Sequence, residues 1–312
     1  MYNNLNEELF AFIKKSPTSF HAIAAMEEYM ENAGVEKLSE GSVWNLKEGG
    51  TYYVTRNKSA IIAFHVPCKE FTGFNIAASH SDSPSLKIKE DPEMNVENQY
   101  VKLNVEKYGG MLCGPWFDRP LSVAGRVIVQ DGNKLETKLV AVDRDILMLP
   151  SLAVHMNRDV NDGYKYNFQK DMLPLFRMHG SKTDFLSMIA AEAGVEKENI
   201  KGSDLFLYDR MEGRVWGAED EFISAPRLDD LQCAFTSMKG FLKSQSEKSV
   251  SVLCVMDNEE VGSGSRQGAD STFLQDVTGR ICQSMGWELP RLTANSFLVS
   301  ADNAHALHPA HP

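Results

Sequence analysis

The chain has 312 residues, 43% of them hydrophobic and 24% charged, the make-up of a soluble globular protein of about two domains. Asp and Glu number 43 against 32 Lys and Arg, a formal net charge of −11, which argues against nucleic acid or an anionic membrane as the main partner because both demand a basic surface. There is no run of eighteen apolar residues to span a membrane, no basic and apolar signal-peptide start, and no CxxC pair among the five cysteines, so a reducing cytoplasm is the expected location.

The polar, acidic start leads into residues 16–34, which read as a helix. Ser or Thr can cap it, Ile23, Met26 and Met30 share a face, and Gly34 ends it. Short apolar runs at 60–64 and 74–78 read as strands. From about residue 90 to 221 the texture changes to many short β-like runs, such as 101–105 and 124–129, interrupted by a helix over 184–193 that Gly194 stops. After it come a helix over 230–242, with Leu231, Ala234, Phe235 and Met238 on its buried face, a strand over 250–256 and another over 297–299. The expected fold is α/β: a mixed, largely parallel sheet with flanking helices, formed by residues 1–90 and 220–312 and interrupted by a mostly β insert over 91–219.

Each core strand runs into acid or histidine. Residues 74–79 lead to His80 and Asp82, residues 250–256 lead to Asp257, Glu259 and Glu260, and residues 297–300 lead to Asp302. In open α/β sheets ligands bind beyond the carboxyl ends of the strands. If these strands are neighbours, one histidine and several carboxylates converge, and Asp229 and Asp230 at the head of a helix add more. Such a cluster resists ionising together, and a divalent cation removes that cost. The ligand set suits zinc, manganese or cobalt, and two ions sharing a carboxylate can activate water and polarise a carbonyl. Singly, each piece has a structural reading: a His-x-Asp surface pair, a solvated Glu-Glu turn, a helix-capping Asp pair.

Three other features are weaker. Gly262-Ser-Gly264-Ser-Arg-Gln-Gly268 follows a strand, but its GxGxxxG spacing and the two preceding glutamates speak against a phosphate loop and for a turn. His305, His308 and His311 form either a metal tract or a bent terminal loop. His21, His65 and His179 read as structural or loop residues, and His155 is the best functional histidine of the insert.

At these residues the sequence resembles the M18 family of metalloaminopeptidases, whose best-known members are aspartyl aminopeptidases. The matching segments are Ser16-Pro-Thr-Ser-Phe-His-Ala22, Ala78-Ser-His-Ser-Asp-Ser-Pro84, Trp116-Phe-Asp-Arg-Pro-Leu-Ser122, Pro226-Arg-Leu-Asp-Asp-Leu231, Asp257-Asn-Glu-Glu-Val-Gly-Ser263 and Ser300-Ala-Asp-Asn-Ala-His-Ala306. They run from near the start of the chain to its end in the family's order. The resemblance implies that His80 and Asp302 each bind a metal, that Asp229 bridges two, that Glu260 binds the second, and that Asp82 orients His80. Glu259 would be the general base, moving a proton from a metal-activated water to the leaving amine. The family's ions are usually two zincs per subunit, with cobalt or manganese as alternatives. Its substrates are peptides, often with an acidic N-terminal residue, and its assembly is a dodecamer built from dimers. The insert would be the assembly domain, with His155 reaching into a neighbouring subunit's site.

Family chains continue past the Asp302 motif into a stretch holding a last histidine ligand, more sheet and pocket residues. On that pattern the ion held by His80, Asp229 and Asp302 keeps its ligands, whereas the ion held by Asp229 and Glu260 lacks its histidine here. The expectation is then one tight metal site and weak or no peptidase activity, with His308 and His311 the candidates to substitute. The alternative is a catalytically inactive assembly or regulatory subunit of the same fold.

Overall fold

The structure is a computed structural model that describes every residue except Met1, Ser244 and Gln245, with the side chains of Tyr2 and Asn3 also left aside. In chain order the elements are α1 (Tyr2–Lys15), α2 (Ser19–Asn32), β1 (Glu36–Lys37), β2 (Thr51–Arg56), β3 (Ala60–His65), β4 (Phe74–His80), β5 (Ser85–Val96), β6 (Tyr100–Tyr108), β7 (Leu121–Asp131), β8 (Lys134–Ala141), β9 (Leu175–Met178), α3 (Phe185–Ala193), β10 (Ile200–Asp209), β11 (Arg214–Trp216), β12 (Phe222–Ser224), α4 (Leu228–Lys243), β13 (Val250–Met256), α5 (Phe273–Met285), α6 (Leu289–Thr293) and β14 (Phe297–Ser300). They divide into two compact units, Met1–Ser83 with Glu212–Pro312, and Pro84–Met211.

The first unit is built on a mixed sheet of order β1-β2-β3-β13-β4-β14. The strands β13, β4 and β14 run parallel, as do β1 and β2, while β3 is antiparallel to both its neighbours. All six residues of β3 are buried, because the sheet is covered on both faces. Ile61 and Ala63 pack with α1, α2 and α4 on one side, and Ala60, Ile62 and Phe64 pack with α5 on the other. This is the α/β sandwich expected from the strand-helix alternation.

The second unit is an antiparallel sheet of order β8-β7-β10-β5-β6-β9 with α3 packed on its apolar face. Asp184 caps α3, its carboxylate accepting from the Ser187 amide at 2.8 Å, and Gly194 closes it with φ 63°. Among the described residues no helix is long and apolar enough to cross a membrane.

One local expectation changes, and one helix appears where none is expected. The helix expected over 16–34 begins only at Ser19: Thr18 is extended, and its hydroxyl bonds to His21 Nδ1 at 2.8 Å in place of a backbone amide. The segment 2–15 also forms a helix, with Leu9, Phe12 and Ile13 buried.

Candidate metal centre

Register sets the site. Met256 of β13 lies opposite His80 of β4, and Ser300 of β14 lies opposite Ala78, so three parallel strands end at one level. Ser81 N donates to the Met256 carbonyl at 2.8 Å, and Ala301 N donates to the Ala78 carbonyl at 2.7 Å, which carries the pairing just past the strand ends. The residues that follow are brought together. His80 groups with Asp229, Asp230 and Asp302, and also with Glu259 and Glu260, each set offering ligand atoms within 4.8 Å of one another.

His80 is buried at the centre. Its Nε2 lies 3.4 Å from Asp229 Oδ1, 3.8 Å from Asp302 Oδ1 and 4.0 Å from Glu259 Oε2. Tetrahedral zinc ligands at about 2.0–2.2 Å from the ion stand roughly 3.3–3.6 Å apart, so the spacing of His80 Nε2 and Asp229 Oδ1 suits a shared zinc ion, with Asp302 and Glu259 standing slightly wide of it. On the other side of the ring, Nδ1 is 3.3 Å from Asp82 Oδ1 and 3.2 Å from the Asp82 carbonyl.

Asp82 is itself buried, and each of its carboxylate oxygens accepts a backbone amide at 3.2 Å: Oδ1 from Glu259 and Oδ2 from Glu260. One carboxylate therefore fixes the imidazole and the glutamate turn together. That is the arrangement of an outer partner to a metal-binding histidine.

The two adjacent aspartates differ. Asp229 and Asp230 have non-helical backbones joined by a cis peptide, so the regular part of α4 starts at Leu231. Asp230 is wholly buried and accepts from the His80 amide at 3.1 Å and from Asn303 Nδ2 at 3.3 Å. Asp229 turns its carboxylate to His80 Nε2, and its carbonyl accepts from Ser83 Oγ at 2.8 Å. Asn303 also donates to the Leu228 carbonyl at 2.8 Å, tying the segment after β14 to the head of α4.

The electrostatics ask for a cation. Burial lowers the basicity of His80, yet the hydrogen bond and charge of Asp82, with Asp230 and Glu259, outweigh it and hold the imidazole at about 9. Burial, followed by the charge of Asp82, pushes Glu260 up to about 7 and Asp257 up to about 6, and burial pushes Asp230 up to about 6. Burial also raises Asp229, with Asp302 adding to it. Without a metal, the cluster holds protons instead. The Cys233 thiol, beside Asp230, is pushed up to about 12 by burial and that carboxylate, and it belongs to neither group of candidate ligands.

The glycine-rich segment is the turn that supports the glutamates. Asn258 is left-handed, and its Oδ1 accepts from Ser265 Oγ at 2.6 Å and Gln267 Nε2 at 2.7 Å. A Cβ on Gly268 would stand 2.1 Å from the Ser263 carbonyl oxygen, whereas one on Gly264 would meet only the Gly262 carbonyl at 3.9 Å. We expect Gly268→Ala to lower stability by about 1–3 kcal/mol and Gly264→Ala to change it little. Equal melting temperatures for the two variants would contradict this packing.

The other sequence-predicted residues lie elsewhere. His155 is exposed in a turn of the second unit, between exposed Val154 and Met156. His308 and His311 face each other in an isolated bridge with ring centroids 5.1 Å apart and belong to neither group of candidate ligands. Sequence reasoning missed the supporting roles of Asp230, Asp257 and Asn303. The available signal was their adjacency to Asp229, Glu259 and Asp302.

A histidine and carboxylates at the carboxyl ends of parallel strands form a group that could hold a metal ion, the kind of centre that metal-dependent hydrolases use. Residues 12–312 match the family model described as aminopeptidase I zinc metalloprotease (M18). The chain is 44% identical to a probable M18 family aminopeptidase 2 of Clostridium novyi and 43% identical to one of Clostridium acetobutylicum, in each case over 97% of this chain and 72% of the relative. Its fold superposes on a chain of the cryo-EM structure of the Ape4 and Nbr1 complex with a TM-score of 0.93 at 36% identity, covering 98% of this chain and 64% of that one. It superposes on the S. cerevisiae mApe1 dodecamer structure with a TM-score of 0.86 at 27% identity, covering 99% and 74%. The chain belongs to the M18 family of zinc metalloaminopeptidases.

Proposed function

We propose that this chain removes the N-terminal residue from peptides, with Asp and Glu preferred there, at a zinc centre in which His80, Asp229 and Asp302 hold one ion and Asp229 and Glu260 hold a second. The observation that carries this reading is the convergence of Asp229, Asp302 and Glu259 on the single nitrogen His80 Nε2 within 4.0 Å. Zinc here would polarise the scissile carbonyl and make water acidic enough to attack at neutral pH.

The protein residues divide the remaining work. Glu259, half-exposed beside that nitrogen, takes the proton from the attacking water and delivers it to the leaving amine. Asp82 holds His80 in orientation through Nδ1 and fixes the Glu259–Glu260 turn through two backbone amides. The surplus of carboxylates suits the free α-ammonium that distinguishes an exopeptidase substrate from an internal peptide segment.

We read residues 1–90 and 220–312 as the catalytic domain and 91–219 as the assembly insert of a homo-oligomer like the mApe1 dodecamer, with His155 entering a neighbouring subunit's site. A second reading, a non-catalytic subunit of the same fold, is favoured by one observation. Among the described residues, the group containing Glu260 offers His80 as its only nitrogen.

Asp-, Glu- and Leu-p-nitroanilides, assayed with and without added zinc or cobalt on material whose mass is measured by light scattering, separate the two. Metal-dependent release fastest with Asp and Glu, from an oligomer, is the expected result. Metal binding without turnover on any of the three would leave only the second reading.

A further inference from the structure

The turn between α1 and α2 touches both loops of the metal cluster from behind. Arg227, two residues before Asp229, has a left-handed backbone with φ 56°, which a non-glycine residue keeps only where its surroundings fix it. Its Nε donates to the Ser16 carbonyl at 3.1 Å, and its Nη2 donates to the Ile13 carbonyl at 3.2 Å. Ile13 lies in the last turn of α1, where its carbonyl also accepts from Ser16 N at 3.0 Å and a fixed cation complements the helix dipole. Three residues after Ser16, Ser19 lies near Asp257, and its hydroxyl favours the charged form of that carboxylate. The Asp257 carboxylate in turn accepts from Asn258 N at 2.9 Å, at the base of the Glu259–Glu260 turn.

We propose that Arg227 is a positioning residue of the metal centre: by clamping the segment that carries Asp229 onto the end of α1, it holds the Asp229 carboxylate facing His80 Nε2. This rests on reading Asp229 as a zinc ligand. The requirement is for a guanidinium, because two carbonyls three residues apart are engaged by two nitrogens of one rigid fork, and a lysine ammonium offers only a single charged point.

An ion pair joins α1 to α4 and supplies the control. Lys239 Nζ lies 2.5 Å from Glu8 Oε2, and Lys239 sits eight residues beyond Leu231, about 12 Å along the helix from its regular start. It secures the same helix without gripping the Asp229 segment.

The test is zinc affinity by chelator competition, with the visible absorption of the cobalt-loaded protein as a second readout and thermal melting as the check on folding. Arg227→Ala is expected to bind zinc at least about tenfold more weakly and to shift the cobalt spectrum. Arg227→Lys should fall between it and the parent chain, and it carries the test if Arg227→Ala does not fold. Lys239→Ala should lose thermal stability while keeping parental zinc affinity and spectrum. Parental affinity in both Arg227 variants, or an equal loss in Lys239→Ala, would overturn the proposal. His80→Ala separates the layers. If it too binds zinc like the parent, the reading of the cluster fails and the proposal with it. If it loses tight binding while the Arg227 variants keep it, only the positioning role falls.

Discussion

Replacing Glu259 by glutamine will lower kcat of the zinc-loaded protein by about 10²–10⁴-fold while leaving the metal content unchanged. The substitution keeps the side chain's size and removes only its capacity to accept a proton. The Glu259 amide still donates to Asp82 Oδ1, so the turn and the His80 orientation survive. Glu259 Oε2 is the most distant of the three carboxylate oxygens around His80 Nε2, at 4.0 Å, with a half-exposed side chain, as suits a group that meets water and substrate more than the ion. Because substrate binding does not require the proton transfer, KM should change little. Metal analysis after dialysis and steady-state rates on the best p-nitroanilide decide the matter. A variant with more than a tenth of parental kcat would remove Glu259 from the role of base, and one that loses zinc would make it a ligand.

What the sequence made legible was the set of strand ends. The strand expected over 250–256 is β13, and the runs at 60–64 and 74–78 are the cores of β3 and β4. Apolar runs bounded by polar residues are read directly from composition, and acids placed just after them can only project from the carboxyl edge of the sheet. What stayed hidden was the order β13-β4-β14, which joins residues more than 170 positions apart through register alone. The division of labour between Asp229 and Asp230 was hidden for the same reason: two identical side chains differ only in what surrounds them, Asn303 and the His80 amide for one and the His80 ring for the other. The helix α1 was obscured by its polar first turns, since Leu9, Phe12 and Ile13 declare a face only once α2 and α4 are there to receive it.

Zinc will stabilise the protein more at pH 8 than at pH 6, and the metal-free protein will lose stability as pH rises through that range. In the metal-free fold Glu260, Asp230 and Asp257 hold their protons up to about 7, 6 and 6, above the values of the unfolded chain. Native protein thus binds more protons than unfolded protein, and stability falls as pH climbs through those values. His80 acts in the same sense. Its contribution is complete below the unfolded value near 6.5 and is lost as pH rises through about 9. Zinc needs the neutral imidazole, so it must displace that proton, and apparent affinity should fall about tenfold for each pH unit below 9 on this account alone. From pH 8 to pH 6 that is about 100-fold, or about 2.7 kcal/mol of zinc-linked stability, which corresponds to a melting-temperature increment of several degrees. Melts at pH 6, 7 and 8, each with chelator and with excess zinc, read both trends directly. A zinc increment that does not grow with pH would refute proton competition at the cluster.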